Sequence, residues 1–197
     1  MPAIAVGKTI PAFTLPDQNG KPFASKTLAG ELAVIYFYPK ADTSSCTKEA
    51  CAFSEALPLL GKLGARVVGI SPDASAALKK FDEKYKLGFT LLGDVPAGEG
   101  AGAKGKSATP RVIDAFGVWG EKSMYGNTYM GVIRTTLLVD AGGKVVRVWE
   151  NVKVPGHAAE VMEAIAELKG GATAKVVKKA KVGKKVVKKA AKKAARK

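Results

Sequence analysis

Apolar positions along this chain switch repeatedly between two periods. Leu32–Tyr38, LAVIYFY, is an unbroken apolar run ended by Pro39. Its length suits a strand, and its continuity predicts burial on both faces of a sheet. From about Cys46 the spacing changes. Cys46, Ala50, Phe53, Leu57 and Leu60 recur at steps of three and four, the stripe of an amphipathic helix. Pro58 lies inside that stripe and should kink or end the helix nearby. Ala65–Ser71, ARVVGIS, reads as a short β-branched strand, and residues 74–86 as a helix with Leu78, Phe81 and Tyr85 on one face. Phe89–Leu92 is a brief strand.

Gly93–Pro110 is rich in Gly and Ala and reads as a loop. Val132–Val139 and Lys144–Trp149 form a hairpin across Asp140-Ala141-Gly142-Gly143. A last helix runs from about Gly156 to Leu168, with Ala158, Val161, Met162 and Ile165 inward. Near the N-terminus, extended pieces flank Asp17-Gln18-Asn19-Gly20, and Asn-Gly is a strong hairpin-turn signal. Strands alternating with helices predict an α/β fold, and the closing hairpin makes its sheet mixed. Phe13, Phe37 and Phe53 are core candidates. Trp119 and Trp149 read as packing residues.

Composition adds a boundary. The chain has 197 residues, 47% of them hydrophobic, which suits one packed domain plus an appendage. Gly170-Gly171 closes the predicted domain, 1–170. The start, MPAIAVGKTIPAF, lacks a basic segment followed by a sustained apolar run, and no apolar stretch approaches the roughly 18 residues of a membrane span. The expected compartment is the cytoplasm.

The formal charge of +15 belongs mostly to the appendage. Residues 172–197 hold eleven Lys and one Arg and no acid, out of 32 basic and 17 acidic residues in all, so the body carries only about +3. Like charges at this density favour a disordered tail. KVVKKA occurs twice, at 175–180 and 185–190, too few copies for a repeat architecture. Val187, Ala190, Ala191 and Ala194 have helical spacing, which suits folding on a polyanion. The Lys/Ala-rich composition resembles linker-histone tails. Sequence-independent DNA or RNA binding through phosphates is the favoured reading, with association with the nucleoid as its consequence. A solubilising extension and an anionic membrane surface remain open. The tail lacks aromatics, which argues against base stacking.

The chemistry concentrates in YFYPKADTSSCTKEAC, residues 36–51. A buried strand runs into a Pro-started loop that delivers Cys46 to the first turn of a helix. Free N–H groups and the positive end of the helix dipole favour a thiolate there. Thr43, three residues earlier, can aim its hydroxyl at the same pocket and both donate to and accept from a bound oxygen. Pro39 can wall one side. Inert buried cysteines are the plain alternative. Two Cys and the single His157 fall short of the about four ligands of structural zinc. A thioredoxin-type disulfide oxidoreductase would use C-x-x-C, whereas four residues separate this pair. Five helical residues rise about 7.5 Å and turn about 140° past a full turn, so the two sulfurs face apart. Any disulfide between them requires the first turns to unwind. Arg134, in the apolar run VIRTTLLV, needs a partner or an opening to solvent. An edge-strand arginine facing water is the alternative. His157, after Pro155-Gly156, reads as a surface residue at a helix start, and a general base is the competing reading.

Pro39, Thr43 and Cys46 match the motif Pro-x-x-x-Thr-x-x-Cys, and the segment resembles the active site of peroxiredoxins. YFYPK, CTKEAC, Phe116–Lys122 and YMGVIRT at 129–135 resemble the bacterioferritin-comigratory protein, or peroxiredoxin Q, group. The resemblance spans about residues 6–168. It implies a thioredoxin fold and a thiol peroxidase acting on hydrogen peroxide and organic hydroperoxides. Cys46 would be the peroxidatic and Cys51 the resolving cysteine, joined as an intramolecular disulfide that thioredoxin or a similar dithiol reduces. Thr43 would position peroxide, Arg134 would stabilise the thiolate and the polarised oxygens, and Glu49 would lie near the site. Trp119 would lie near the pocket. No cofactor or metal is implied, and the expected state is a monomer. Two features depart from the family pattern. Ser44-Ser45 stands where Pro-Gly is common, and the 93–110 loop is longer and richer in Gly.

Overall fold

The computed structural model describes residues 4–96, 109–124 and 127–170. The basic tail lies outside the described residues, as does most of the Gly/Ala-rich loop. In chain order the elements are β1 (Thr14–Pro16), β2 (Pro22–Ala24), β3 (Leu32–Phe37), α1 (Ser44–Lys62), β4 (Ala65–Ser71), α2 (Ser75–Tyr85) and β5 (Thr90–Gly93). Then follow α3 (Arg111–Ala115), β6 (Trp119–Met124), β7 (Asn127–Val132), β8 (Thr135–Val139), β9 (Val145–Trp149) and α4 (His157–Leu168).

A five-stranded sheet has the order β5-β4-β3-β8-β9. β3, β4 and β5 run parallel, while β8 and β9 are antiparallel to their neighbours. This is the mixed sheet of the anticipated thioredoxin-type α/β fold. β3 lies at its centre and explains its own apolar run. Val34, Tyr36 and Tyr38 face one core with Ala50, Phe53, Leu60 and Leu78, while Ala33, Ile35 and Phe37 face a second with Phe13, Ile113 and Phe116. Two-sided burial erases the polar alternation that a half-exposed strand shows. Gly69 on β4 has a packing reason: a Cβ there would sit 2.8 Å from the Tyr36 ring.

The hairpin expected at Asp17–Gly20 joins β1 to β2. Asp17 Oδ1 accepts from the amides of Asn19 and Lys21, both at 2.8 Å, and Gly20 takes φ 77°. Among the described residues, no helix is long and apolar enough to cross a membrane.

Three expectations need correction. Val132–Val139 is not one strand, because β7 ends at Val132 and β8 starts at Thr135. Residues 119–132, not expected as strands, pair as a separate β6–β7 hairpin, Trp119 opposite Val132 through Met124 opposite Asn127. Its ladder is set by pairing, and its glycines and charges hide the alternation. Pro58, expected to kink or end α1 nearby, lies inside the helix, which runs about one turn further to Lys62. The proline is exposed, so its missing donor falls on the solvent side of the helix. His157 is not a surface residue. It begins α4 but is buried, 2% exposed, with its ring edge-on to Phe53 and Trp149. Its Nε2 lies 2.8 Å from Thr136 Oγ1 on β8. Burial pulls its basicity down, Glu160 opposes that, and Arg134 reinforces it.

Candidate active site

Cys46 is the third residue of α1, behind Thr43 at the N-cap position. It sits where β3 ends and Pro39, half-buried, starts the loop. No side chain caps this helix end, and its first turn holds no acid. The positive end of the dipole is therefore left to the sulfur and to whatever binds beside it. Thr43 Oγ1 donates to the Lys40 carbonyl at 3.1 Å, which leaves its lone pairs to accept.

Arg134 comes from the link between β7 and β8 rather than from within a strand. Its carbonyl accepts from the Val152 amide at 3.0 Å, and the neighbouring Ile133 amide donates to the Val118 carbonyl at 2.8 Å. These bonds fix the link so that the side chain crosses to α1. Arg134 Nη2 donates to Cys46 Sγ at 3.2 Å. Its Nη1 is ion-paired with Glu49 Oε2. The edge-strand reading is thereby excluded, since the guanidinium has two inward partners. Burial works against its charge, but Glu49 and Cys46 outweigh it and hold Arg134 above its ordinary value.

Glu49 lies one turn beyond Cys46 and is 1% exposed. One oxygen pairs with Arg134, while Oε1 is buried without a hydrogen-bond partner. Burial, opposed by Arg134, pushes its carboxyl up to about 7. Cys51 shares α1, is half-buried and free, and packs against the first core. Burial and then Glu55 push its thiol up.

The structure thus brings Cys46, Glu49 and Arg134 together, puts Pro39 and Thr43 on the loop that leads into α1, and leaves Cys51 on a different face of the same helix. Trp119 packs partly buried on the second core and Trp149 on the first. Lys122 closes the Phe116–Lys122 stretch that carried the resemblance, but the sequence assigned it no role. It is a partly buried cation whose Nζ donates to the Val132 carbonyl at 3.0 Å. With Arg134, Ile133 and Asn151 it lines a cleft of about 570 Å³. Burial and the charge of Arg134 pull it down, and Cys46 acts in the opposite sense. No local pattern places Lys122 beside Arg134, because its position depends on the β6–β7 pairing.

A buried cysteine at an uncapped helix start, bonded by an arginine from the link that leads into β8, on a thioredoxin fold, defines the class of thiol peroxidases. The chain belongs to the AhpC/TSA family, whose model matches residues 6–148. It is 42% identical over 160 residues to a putative peroxiredoxin Bcp of Coxiella burnetii, covering 81% of this chain and 97% of that one. It is 39% identical over 157 residues to peroxiredoxin Bcp of Escherichia coli K12, covering 80% and 92%. Among solved structures, Xanthomonas campestris peroxiredoxin Q matches with a TM-score of 0.67 at 35% identity, covering 79% of this chain and 90% of that one. A cysteine-to-serine mutant of Xylella fastidiosa peroxiredoxin Q matches at 0.73 and 26%, covering 86% and 99%. A further structure of the Xanthomonas protein is described in terms of its alkyl peroxide reduction activity.

Proposed function

We propose that this peroxidase reduces hydrogen peroxide and organic hydroperoxides through Cys46 and recycles through Cys51. The 3.2 Å contact of Arg134 with Cys46 Sγ at an uncapped helix start carries this reading. Cys46 thiolate attacks the terminal peroxide oxygen. The O–O bond breaks, the sulfur gains an oxygen as sulfenic acid, and water or an alcohol leaves with a proton. Arg134 donates to the oxygens as charge develops, the Thr43 oxygen accepts the proton of the bound peroxide, and Pro39 shapes the loop. Cys51 then attacks the sulfenic sulfur, a disulfide forms and water leaves. The pair sits five residues apart on α1, so this step requires the first turns to unwind. A dithiol of the thioredoxin type reduces the disulfide, and no cofactor or metal enters. The working form is a monomer in the cytoplasm.

The test is peroxide-dependent NADPH oxidation with thioredoxin and its reductase. Wild type should turn over, Cys46→Ser should not, and Cys51→Ser should complete one oxidation and then stall. Full steady-state turnover by Cys51→Ser would remove the resolving role.

The charge of residues 172–197 supports a second activity carried by the same chain, with 1–170 as the catalytic domain. Twelve cations and no acid suit the phosphates of DNA or RNA without base reading, which would hold the peroxidase at the nucleoid.

A further inference from the structure

The loop from Pro39 to Thr43 carries the threonine of the site and leads directly into Cys46. Its one internal side-chain tie is the Thr43–Lys40 bond. Its remaining ties come from outside. The Ala41 amide donates to Asp73 Oδ2 at 2.7 Å, and the same carboxylate oxygen accepts the Ser71 hydroxyl at 2.8 Å at the end of β4. Asp42, the next residue, is held from α2. Lys84 Nζ donates to its two oxygens at 3.0 and 2.7 Å, and the Tyr85 hydroxyl donates to Oδ1 at 2.7 Å. Lys84 Nζ also lies 5.1 Å from the centroid of the Tyr85 ring.

Asp42 has φ 59°, one of three non-glycine residues at positive φ among the described residues. A side chain there costs backbone free energy and persists only where surrounding contacts impose the conformation, and such positions gather at functional sites. Here the contacts are visible: Lys84 and Tyr85 grip the carboxylate, and Asp73 grips the preceding amide. The Thr43 carbonyl accepts the Thr47 amide at 2.8 Å, the first bond of α1. Unwinding the first turn breaks that bond and frees the chain on one side of Asp42. The clasp then holds the loop from the other side alone, and the strain at Asp42 favours release.

We propose that Asp42, clasped by Lys84 and Tyr85, is a positioning residue that keeps the Pro39–Thr43 loop closed on Cys46 for the peroxide step, and that this clasp opens when α1 unwinds for the disulfide. The second half rests on the resolving role assigned to Cys51; the first does not. Closing favours oxidation of Cys46 and opposes disulfide formation, so the two steps respond to the clasp in opposite directions. The ion pair is exposed, with Asp42 at 45% and Lys84 at 57%. Salt therefore screens it, and ionic strength tunes the balance between the two steps.

The experiment measures two rates. Peroxide oxidation of Cys46 is followed in single turnover in a Cys51→Ser background, and disulfide formation is followed by quenched thiol counting with Cys51 present. The variants are Asp42→Asn, Lys84→Met and Tyr85→Phe. Asparagine tolerates positive φ as aspartate does, so Asp42→Asn reads the charge rather than the backbone. Asp42→Asn and Lys84→Met should each slow oxidation about twofold to fivefold and speed disulfide formation by a similar factor, the range of an exposed ion pair. Combining them should add little, since both remove one interaction. Tyr85→Phe should act in the same direction and less. Salt at about 0.5 M, where the screening length is only a few ångströms, should move wild type toward the variants and leave the variants nearly unchanged. Unaltered oxidation rates overturn the proposal, and so do two rates that fall together, because loose folding does that. A wild type that forms no Cys46–Cys51 disulfide removes the resolving step and the second half with it. The oxidation rates in the Cys51→Ser background still decide the first half.

Discussion

Glu49 is the residue at which this site departs furthest from an ordinary carboxylate. Burial raises its pKa from 4.5 to about 7 despite the pairing with Arg134. The folded protein thus binds this proton more tightly than the unfolded chain. Its contribution to stability falls as pH climbs from about 4.5 to 7 and is level above. Glu49→Gln should flatten that decline. Comparing the two proteins by denaturant unfolding at about pH 5 and about pH 8 should show a difference of order 1–3 kcal/mol in the pH response. His157 titrates in part of the same window with the opposite sense, since a depressed folded value loses stability as pH falls. Both proteins carry it, so it cancels in the comparison. A parallel pH response in wild type and Glu49→Gln would show that Glu49 stays ionised throughout. Thr43 and Arg134 are tested by kinetics: Arg134→Lys keeps a charge but loses the fork that spans Glu49 and Cys46, and should lower kcat/KM for peroxide about 100-fold or more.

At the scale of elements, α1 carries both cysteines and is the part that must change. Its first turns are tied by Thr43, Arg134 and Glu49, while its later turns are anchored by Phe53, Ala56 and Leu60 in the first core. The oxidised protein should lose far-ultraviolet helical signal worth about two turns, with the remaining helices intact. Identical spectra for the reduced and disulfide forms would contradict the unwinding. The other anchor is α4. His157 bonds Thr136 and packs on Phe53 from behind α1. His157→Ala should cost about 2–4 kcal/mol, from a lost buried hydrogen bond, an orphaned Thr136 hydroxyl and a cavity. On β4, Gly69→Ala should cost about 1–3 kcal/mol, because the Tyr36 ring already fills the Cβ position.

For the whole molecule, the body and the basic tail should be separable. Removing residues 171–197 should leave peroxide kinetics unchanged. It should abolish DNA binding at low salt, with the full chain showing a log–log salt slope near −5 if about six lysines engage phosphates. DNA affinity that survives the deletion would assign binding to the body, whose charge is only about +3.

Some of this protein was legible in its amino-acid order and some was not. The β3 run, the α1 stripe, the closing hairpin and the placing of Cys46 at a helix start are local: they follow from period, turn residues and chain direction. Pro39, Thr43 and Cys46 could be read together because they lie within eight residues. Arg134 was flagged by its apolar surroundings, but its partners followed only from the family resemblance. Cys46 and Glu49 are 88 and 85 residues away, and only the pairing of β8 with β3 brings the guanidinium to them. The same holds for the grip of Lys84 and Tyr85 on Asp42, for Lys122 beside Arg134, and for the burial of His157 under α1. A sequence records which side chains can ionise or pack. Which of them share a dielectric environment, a charge and a hydrogen bond is decided when the sheet order closes the chain on itself, since these energies depend on distance in space rather than along the chain.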